Sequence, residues 1–169
     1  GTGGFSTRNA SIAAFNSVYI EMVIAVFLML FGINFNLYYF VIIGRIKDAL
    51  RSEELHVYLG LIAGCTLAIA IGIAKMYGGL AQGLRHAFFN TLSIVTTAGF
   101  GTVDFVQWPA YAHYILVLLM FIGGCAGSTG GGFKVSRIVI GFKSVLAYLG
   151  AFLHPRVVRK VKFEDKDVD

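Results

Sequence analysis

The chain has 169 residues, 57% of them hydrophobic and 14% charged, with a mean hydropathy of +0.75. These values lie outside the usual composition of a water-soluble domain, so the chain reads as a membrane protein. The formal net charge of +5 does not point to nucleic acid, because the Lys and Arg residues stand between and after apolar runs and form no patch interleaved with aromatics.

Gly1-Thr2-Gly3-Gly4-Phe5-Ser6-Thr7 opens the sequence, and Thr96-Thr97-Ala98-Gly99-Phe100-Gly101-Thr102 repeats its pattern. Thr2 aligns with Thr97, Gly4 with Gly99, Phe5 with Phe100 and Thr7 with Thr102, 95 positions apart. Such a repeat indicates one building block used more than once. Each turn precedes a long apolar run, which places it at membrane depth, where non-helical backbone is tolerated only if protein buries it or water reaches it. Backbone carbonyls pointing into such a water path can replace a cation's hydration shell. The two turns are therefore read as two quarters of an ion-selectivity filter. Since the chain begins inside one of them, it is expected to be a piece of a longer protein.

Arg8 to Ser17 is polar and mixed, suiting an outer interface. Val18 to Gly44 is nearly all apolar and longer than the ~20 residues a spanning helix needs. Glu21, Asn34 and Asn36 interrupt it, and packing against a neighbouring helix is the expected role for polar groups at this depth. Arg45, Lys47 and Arg51, mixed with Asp48, Glu53 and Glu54, read as a short cytoplasmic loop. His56 to Tyr77 is a second span whose Gly60, Ala63, Gly64, Ala68, Ala70, Gly72 and Ala74 predict close helix contact. Lys75 at its end is placed to snorkel outward.

After Gly78-Gly79, the segment Leu80 to Val95 has near-helical apolar spacing. Sixteen residues come to roughly 24 Å, short of the ~30 Å hydrocarbon layer, so this helix is expected to enter the membrane without crossing it. Its partly negative C-terminal end would then point at whatever occupies the turn at 96–102, favouring a cation. Asp104, Gln107, Trp108 and Pro109 read as a return to the outer interface, where Trp is enriched.

Tyr111 to Leu149 is too long for one straight crossing, and Gly123-Gly124-Cys125-Ala126-Gly127-Ser128-Thr129-Gly130-Gly131-Gly132 explains the excess. Each helix-interior glycine costs ~1 kcal/mol relative to Ala, so six of them break the helix. Two helical pieces are expected, 111–122 and 133–149, joined by an unwound loop near mid-membrane. A phosphate-binding loop is excluded by detail, since Phe133 precedes Lys134 and Val135 follows it. A passive kink needs only one or two glycines; six suggest a flexible obstruction, a gate. Lys134, directly after the loop, is a candidate gate-associated cation, and Arg137, Lys143, Arg156, Arg159, Lys160 and Lys162 mark the cytoplasmic side before a charged, solvated tail. Cys65 and Cys125 lie in apolar segments, and His56, His86, His113 and His154 share no ligand spacing, so neither a disulfide framework nor a metal site is indicated.

The paired Thr-x-Gly-Phe turns, the re-entrant helix before Thr96 and above all the run from Gly123 to Lys134 resemble the Trk/Ktr/HKT superfamily of potassium transporters, most closely its bacterial TrkH/KtrB membrane subunits. The resemblance covers nearly the whole chain. It implies an all-α membrane protein of helix-pore helix-helix repeats, with a re-entrant filter loop and an interrupted inner helix. Residues 1–54 would hold the second repeat's turn and inner helix. Residues 55–150 would be a complete third repeat with pore helix 80–95, filter 96–102 and intramembrane loop 123–132, and 151–169 a basic cytoplasmic segment leading to a fourth.

By that resemblance, potassium is coordinated by the carbonyls of Thr2, Gly3, Gly4 and Phe5 and of Thr97, Ala98, Gly99 and Phe100. Sodium-preferring relatives replace a central glycine with serine, so two glycines favour potassium. The loop formed by Gly123, Gly124, Cys125, Ala126, Gly127, Ser128, Thr129, Gly130, Gly131 and Gly132 would be the gate. The resemblance further implies a homodimer regulated by a cytosolic nucleotide-binding ring of the TrkA/KtrA type, in a lipid bilayer, the bacterial inner membrane, as a multi-pass protein. Two filter quarters are missing from the expected four. The resemblance makes potassium the expected transported ion with no covalent cofactor, and no carboxylate pair, His/Cys cluster or activated nucleophile suggests an enzyme. Channel-like flow and ion-coupled symport stay open, as do a sodium/potassium symporter of the same superfamily and a non-transporting scaffold or receptor.

Overall fold

A computed structural model of the chain describes residues 3–153, 161–163 and 166–168. Among the described residues seven α-helices follow one another: α1 (Val18–Phe31), α2 (Phe35–Ile42), α3 (Ile46–Leu50), α4 (Glu53–Ile73), α5 (Leu80–Val95), α6 (Ala110–Ile122) and α7 (Val135–Leu153). A short antiparallel ribbon, β1 (Val161–Phe163) with β2 (Lys166–Val168), pairs Val161 with Val168 within the stretch expected to be a solvated tail. The fold is all-α, as anticipated from the sequence, with this ribbon as its one strand pair among the described residues.

The central pair is α4 and α5. Buried positions on α4 recur with helical spacing at Tyr58, Ile62, Thr66, Ile69, Ala70 and Ile73, and they meet Ala87, Phe89, Leu92 and Val95 of α5. Ala112, Leu116 and Leu119 of α6 and Ala25 of α1 complete the core. Of the glycines expected to tighten α4, Gly72 does so: a Cβ there would overlap the Tyr111 hydroxyl. Gly60 and Gly64 instead face open space. Helix contact in lipid depends on such close packing, because lipid tails compete for apolar surface.

α4 is long and apolar enough to cross a bilayer, whereas α5 is shorter and more buried. The single span expected from Val18 to Gly44 is broken: α1 and α2 meet at 88° across Gly32-Ile33-Asn34. Asn34 starts the new helix by accepting the Asn36 amide at 3.0 Å. The broken backbone groups are taken up from far along the chain, by the amides of Cys125 and Thr129.

One further expectation is corrected. Glu54, assigned to a cytoplasmic loop, lies in the first turn of α4 and is 2% exposed. Trp108, read as part of a return to the outer interface, packs inside the protein and donates its indole N–H to the Tyr77 hydroxyl at 3.0 Å. Glu21 does pack against a neighbouring helix, but as an ion pair, with Oε2 3.2 Å from Nε of Arg85 on α5. Large apolar side chains on the outside, among them Ile42, Ile71, Phe121 and Tyr148, leave a surface suited to lipid or to further protein.

Candidate functional site

The candidate site forms where α5 ends. Its last turn closes with two reversed bonds, Ala98 N–H to the Ser93 carbonyl at 2.8 Å and Thr97 N–H to the Ile94 carbonyl at 3.0 Å, the Schellman pattern. That pattern puts a residue in the left-handed region, usually glycine, yet here it is Thr97 at φ 58°. A β-branched residue in that conformation is strained by about 1–3 kcal/mol and persists only where its surroundings hold it. The Thr97 hydroxyl supplies the hold, donating to the Thr96 carbonyl at 2.7 Å and accepting the Gly131 amide at 2.8 Å.

The two sequence-matched turns lie against each other. Gly4 N–H donates to the Ala98 carbonyl at 2.7 Å. Gly4 and Gly99 have φ of +72° and +79°, and neither tolerates a side chain. A Cβ on Gly99 would stand 2.7 Å from the Gly4 nitrogen, and one on Gly4 would overlap the Gly99 carbonyl oxygen. Behind them Ser93 donates its hydroxyl to the Phe100 carbonyl at 2.7 Å, and Ser11 accepts the Gly101 amide at 3.2 Å. Two of the eight expected carbonyls, those of Ala98 and Phe100, thus already accept one protein hydrogen bond, leaving a second lone pair on each. Thr2 lies outside the described residues; Phe5 is exposed. Gly3, Ser93, Ile94, Thr97, Gly99 and Met120 line a cavity of about 370 Å³ beside the turns.

The glycine-rich loop lies against the Thr96–Thr97 step. A Cβ on Gly130 would come 3.3 Å from the Thr96 carbonyl oxygen. The neck of the loop is closed by Phe133 N–H to Phe121 O at 2.9 Å, Lys134 N–H to Ile122 O at 2.8 Å and Val135 N–H to Gly124 O at 3.1 Å. Gly123 and Gly132, both at positive φ, meet there so closely that a Cβ on Gly132 would be 2.7 Å from the Gly123 Cα. Lys134 folds back to donate its ammonium to the Gly130 carbonyl, within the loop it follows.

The loop's outer side rests on the α1–α2 elbow. Cys125 N–H donates to Gly32 O at 3.0 Å, Thr129 N–H to Phe31 O at 3.3 Å, and Phe35 N–H to Gly127 O at 3.2 Å. Glu54 holds it from α4, its Oε1 accepting Ala126 N–H at 2.6 Å and Ser136 N–H at 3.1 Å. Sequence reasoning missed both the elbow and Glu54. Asn34 two residues after Gly32 is an N-cap signal that could have marked the first, but nothing local marks the second.

The chain matches the family model described as TrkH, cation transport protein, over residues 74–169. It is 38% identical over 169 residues to the Trk system potassium uptake protein TrkH of Escherichia coli K12, covering 97% of this chain and 35% of that protein. It is 36% identical over 172 residues to TrkG of the same strain, covering 98% and 35%. Its structure matches the crystal structure of the potassium transporter TrkH from Vibrio parahaemolyticus with a TM-score of 0.87 at 35% identity, over 95% of this chain and 36% of that one. The chain thus spans about a third of the length of these relatives. With the interrupted helix, the apposed glycine turns and these matches together, the chain belongs to the TrkH family of cation transport proteins.

Proposed function

We propose that this chain supplies two quarters of a potassium-selective filter, together with the loop that obstructs flow past it, in a multi-pass protein of the bacterial inner membrane that carries potassium inward. The observation that carries the reading is the apposition of Gly4 and Gly99, backbone against backbone, at the end of a largely buried short helix. Two segments 95 positions apart in the sequence meet through their repeated glycines, which is what equivalent quarters of one ring require.

In this reading a cation sheds water beside Gly3, Thr97 and Gly99, where the cavity lies. The carbonyls of Thr2, Gly3, Gly4, Phe5, Thr97 and Gly99 and the remaining lone pairs of Ala98 and Phe100 replace that water. Ser93 steadies the turn from behind through its hydroxyl and carbonyl. Residues 123–132 then block the inward path until they move, with Lys134 holding the closed form through Gly130. Residues 1–54 act as one repeat's turn and inner helix, 55–150 as a complete repeat, and 151–169 as the lead to another. The remaining quarters come from the rest of the protein, a second copy forms the homodimer, and a cytosolic nucleotide-binding ring regulates it; the reaction is transport, without covalent chemistry. The named potassium uptake relatives support the choice of ion.

The test is flux into proteoliposomes containing the full-length protein. Saturable potassium uptake that exceeds sodium uptake is expected; equal uptake of both ions, or none of either, would overturn the assignment.

A further inference from the structure

Glu54 joins three parts of the chain that are distant in sequence. Its carboxylate is almost fully buried, and its partners are N–H groups: Ala126 inside the glycine-rich loop, Ser136 in the first turn of α7, and the Asn34 side-chain amide at 3.4 Å in the α1–α2 elbow. A buried carboxylate needs compensation, and two helix starts provide it. Glu54 sits in the first turn of α4, which Ser52 caps, and it satisfies one of the amides that α7 leaves without an intrahelical partner. Bonds from an ionised acceptor are roughly twice as strong as neutral ones. One oxygen, Oε1, therefore ties the loop's interior and its exit to the same point on α4.

Resting on the reading of residues 123–132 as the obstruction, we infer that Glu54 is the positioning residue that latches the loop closed, and that release of its bonds to Ala126 and Ser136 is the step that frees the loop to move. It touches neither glycine turn, so it sets how often the path is open and not which ion is chosen. Thr97 fastens the same loop through Gly131, beside the backbone bonds to the α1–α2 elbow, and loss of the Glu54 or the Thr97 contact raises the open fraction.

The experiment compares full-length wild type, Glu54→Ala and Glu54→Gln in proteoliposomes. It reads potassium flux, the potassium-to-sodium ratio, and the rate at which a water-soluble methanethiosulfonate labels Cys125 when every other cysteine has been replaced. Cys125 is buried beside Ala126, so its labelling reports loop release directly. Glu54→Ala is expected to raise flux and labelling at least tenfold, since losing even one of the charge-assisted hydrogen bonds to the loop and its exit accounts for about that much. Glu54→Gln keeps one acceptor oxygen and should lie between it and wild type, with the ion ratio unchanged in both. Wild-type flux and labelling in an assembled Glu54→Ala protein would overturn the latch. If that variant does not assemble, the same result in Glu54→Gln does so. Deletion of residues 127–130 separates the two ideas. Raised flux on deletion with no effect at Glu54 sinks the latch and keeps the gate. Unchanged flux on deletion with faster Cys125 labelling in the Glu54 variants sinks the gate and keeps the latch.

Discussion

The Thr97 hydroxyl accepts the Gly131 amide at 2.8 Å, so the turn at the end of α5 and the glycine-rich loop share a hydrogen bond across 34 residues of sequence. The same oxygen donates to the Thr96 carbonyl, which explains why a strained threonine occupies a position where glycine would be more comfortable. Thr97→Val keeps the shape and removes both bonds, leaving the Gly131 amide without its acceptor at a cost of about 1–3 kcal/mol. The expected result is a lower thermal midpoint and faster potassium flux in the full-length protein, with Thr97→Ser close to wild type. A Thr97→Val protein matching wild type in both measurements would show the bond to be incidental.

Gly99 is constrained by its conformation and by its neighbour. Gly99→Ser places a Cβ 2.7 Å from the Gly4 nitrogen at φ +79°, so the Gly4 turn must move. The left-handed conformation alone costs about 1–2 kcal/mol for a residue with a Cβ. Displaced carbonyls fit a stripped potassium ion less well, and sodium permeation should rise relative to potassium. Competitive flux assays check this, and an unchanged ratio would count against the filter reading.

The neck of the loop offers a contrast between glycines. Gly123→Ala drives a methyl group into the Gly131 carbonyl at positive φ and should prevent closure, raising flux and lowering stability. Gly60→Ala, mid-helix in α4 with nothing within 4 Å, should be neutral or stabilising by up to about 1 kcal/mol. Thermal unfolding of the two variants in the same detergent distinguishes a required glycine from a tolerated one.

Glu21 and Arg85 tie α1 to α5 through a poorly exposed ion pair at 3.2 Å. Removal of one partner leaves the other charge buried, which typically costs about 3–5 kcal/mol. Arg85→Leu and Glu21→Leu should each lower the thermal midpoint sharply, and the double variant should recover most of the loss. Additive losses in the double variant would mean that the two charges act independently.

Much of this arrangement was legible because it is written in local signals. Gly78-Gly79 and Thr96 bracket α5 at Leu80–Val95, the same bounds the apolar spacing gives. The glycine run ends α6 where helix propensity says it must. The Gly32 break was hidden inside an apolar run, because one glycine is a weak signal and its loosened carbonyls are satisfied by Cys125 and Thr129, more than ninety residues on. Glu54 was misread for a related reason. Its neighbours Glu53 and Arg51 are exposed, as a charged loop should be, and only the approach of Ala126 and Ser136 draws it inside.

The shut neck between 121–124 and 132–135 gives the ten residues 123–132 the character of a cassette. Polypeptide enters and leaves at one point, so what happens at its tip need not alter the spacing of α6 and α7. Insertions confined to the tip at Ser128, which keep Gly124 in the neck and Cys125, Gly127 and Thr129 on the α1–α2 elbow, should leave the surrounding scaffold in register.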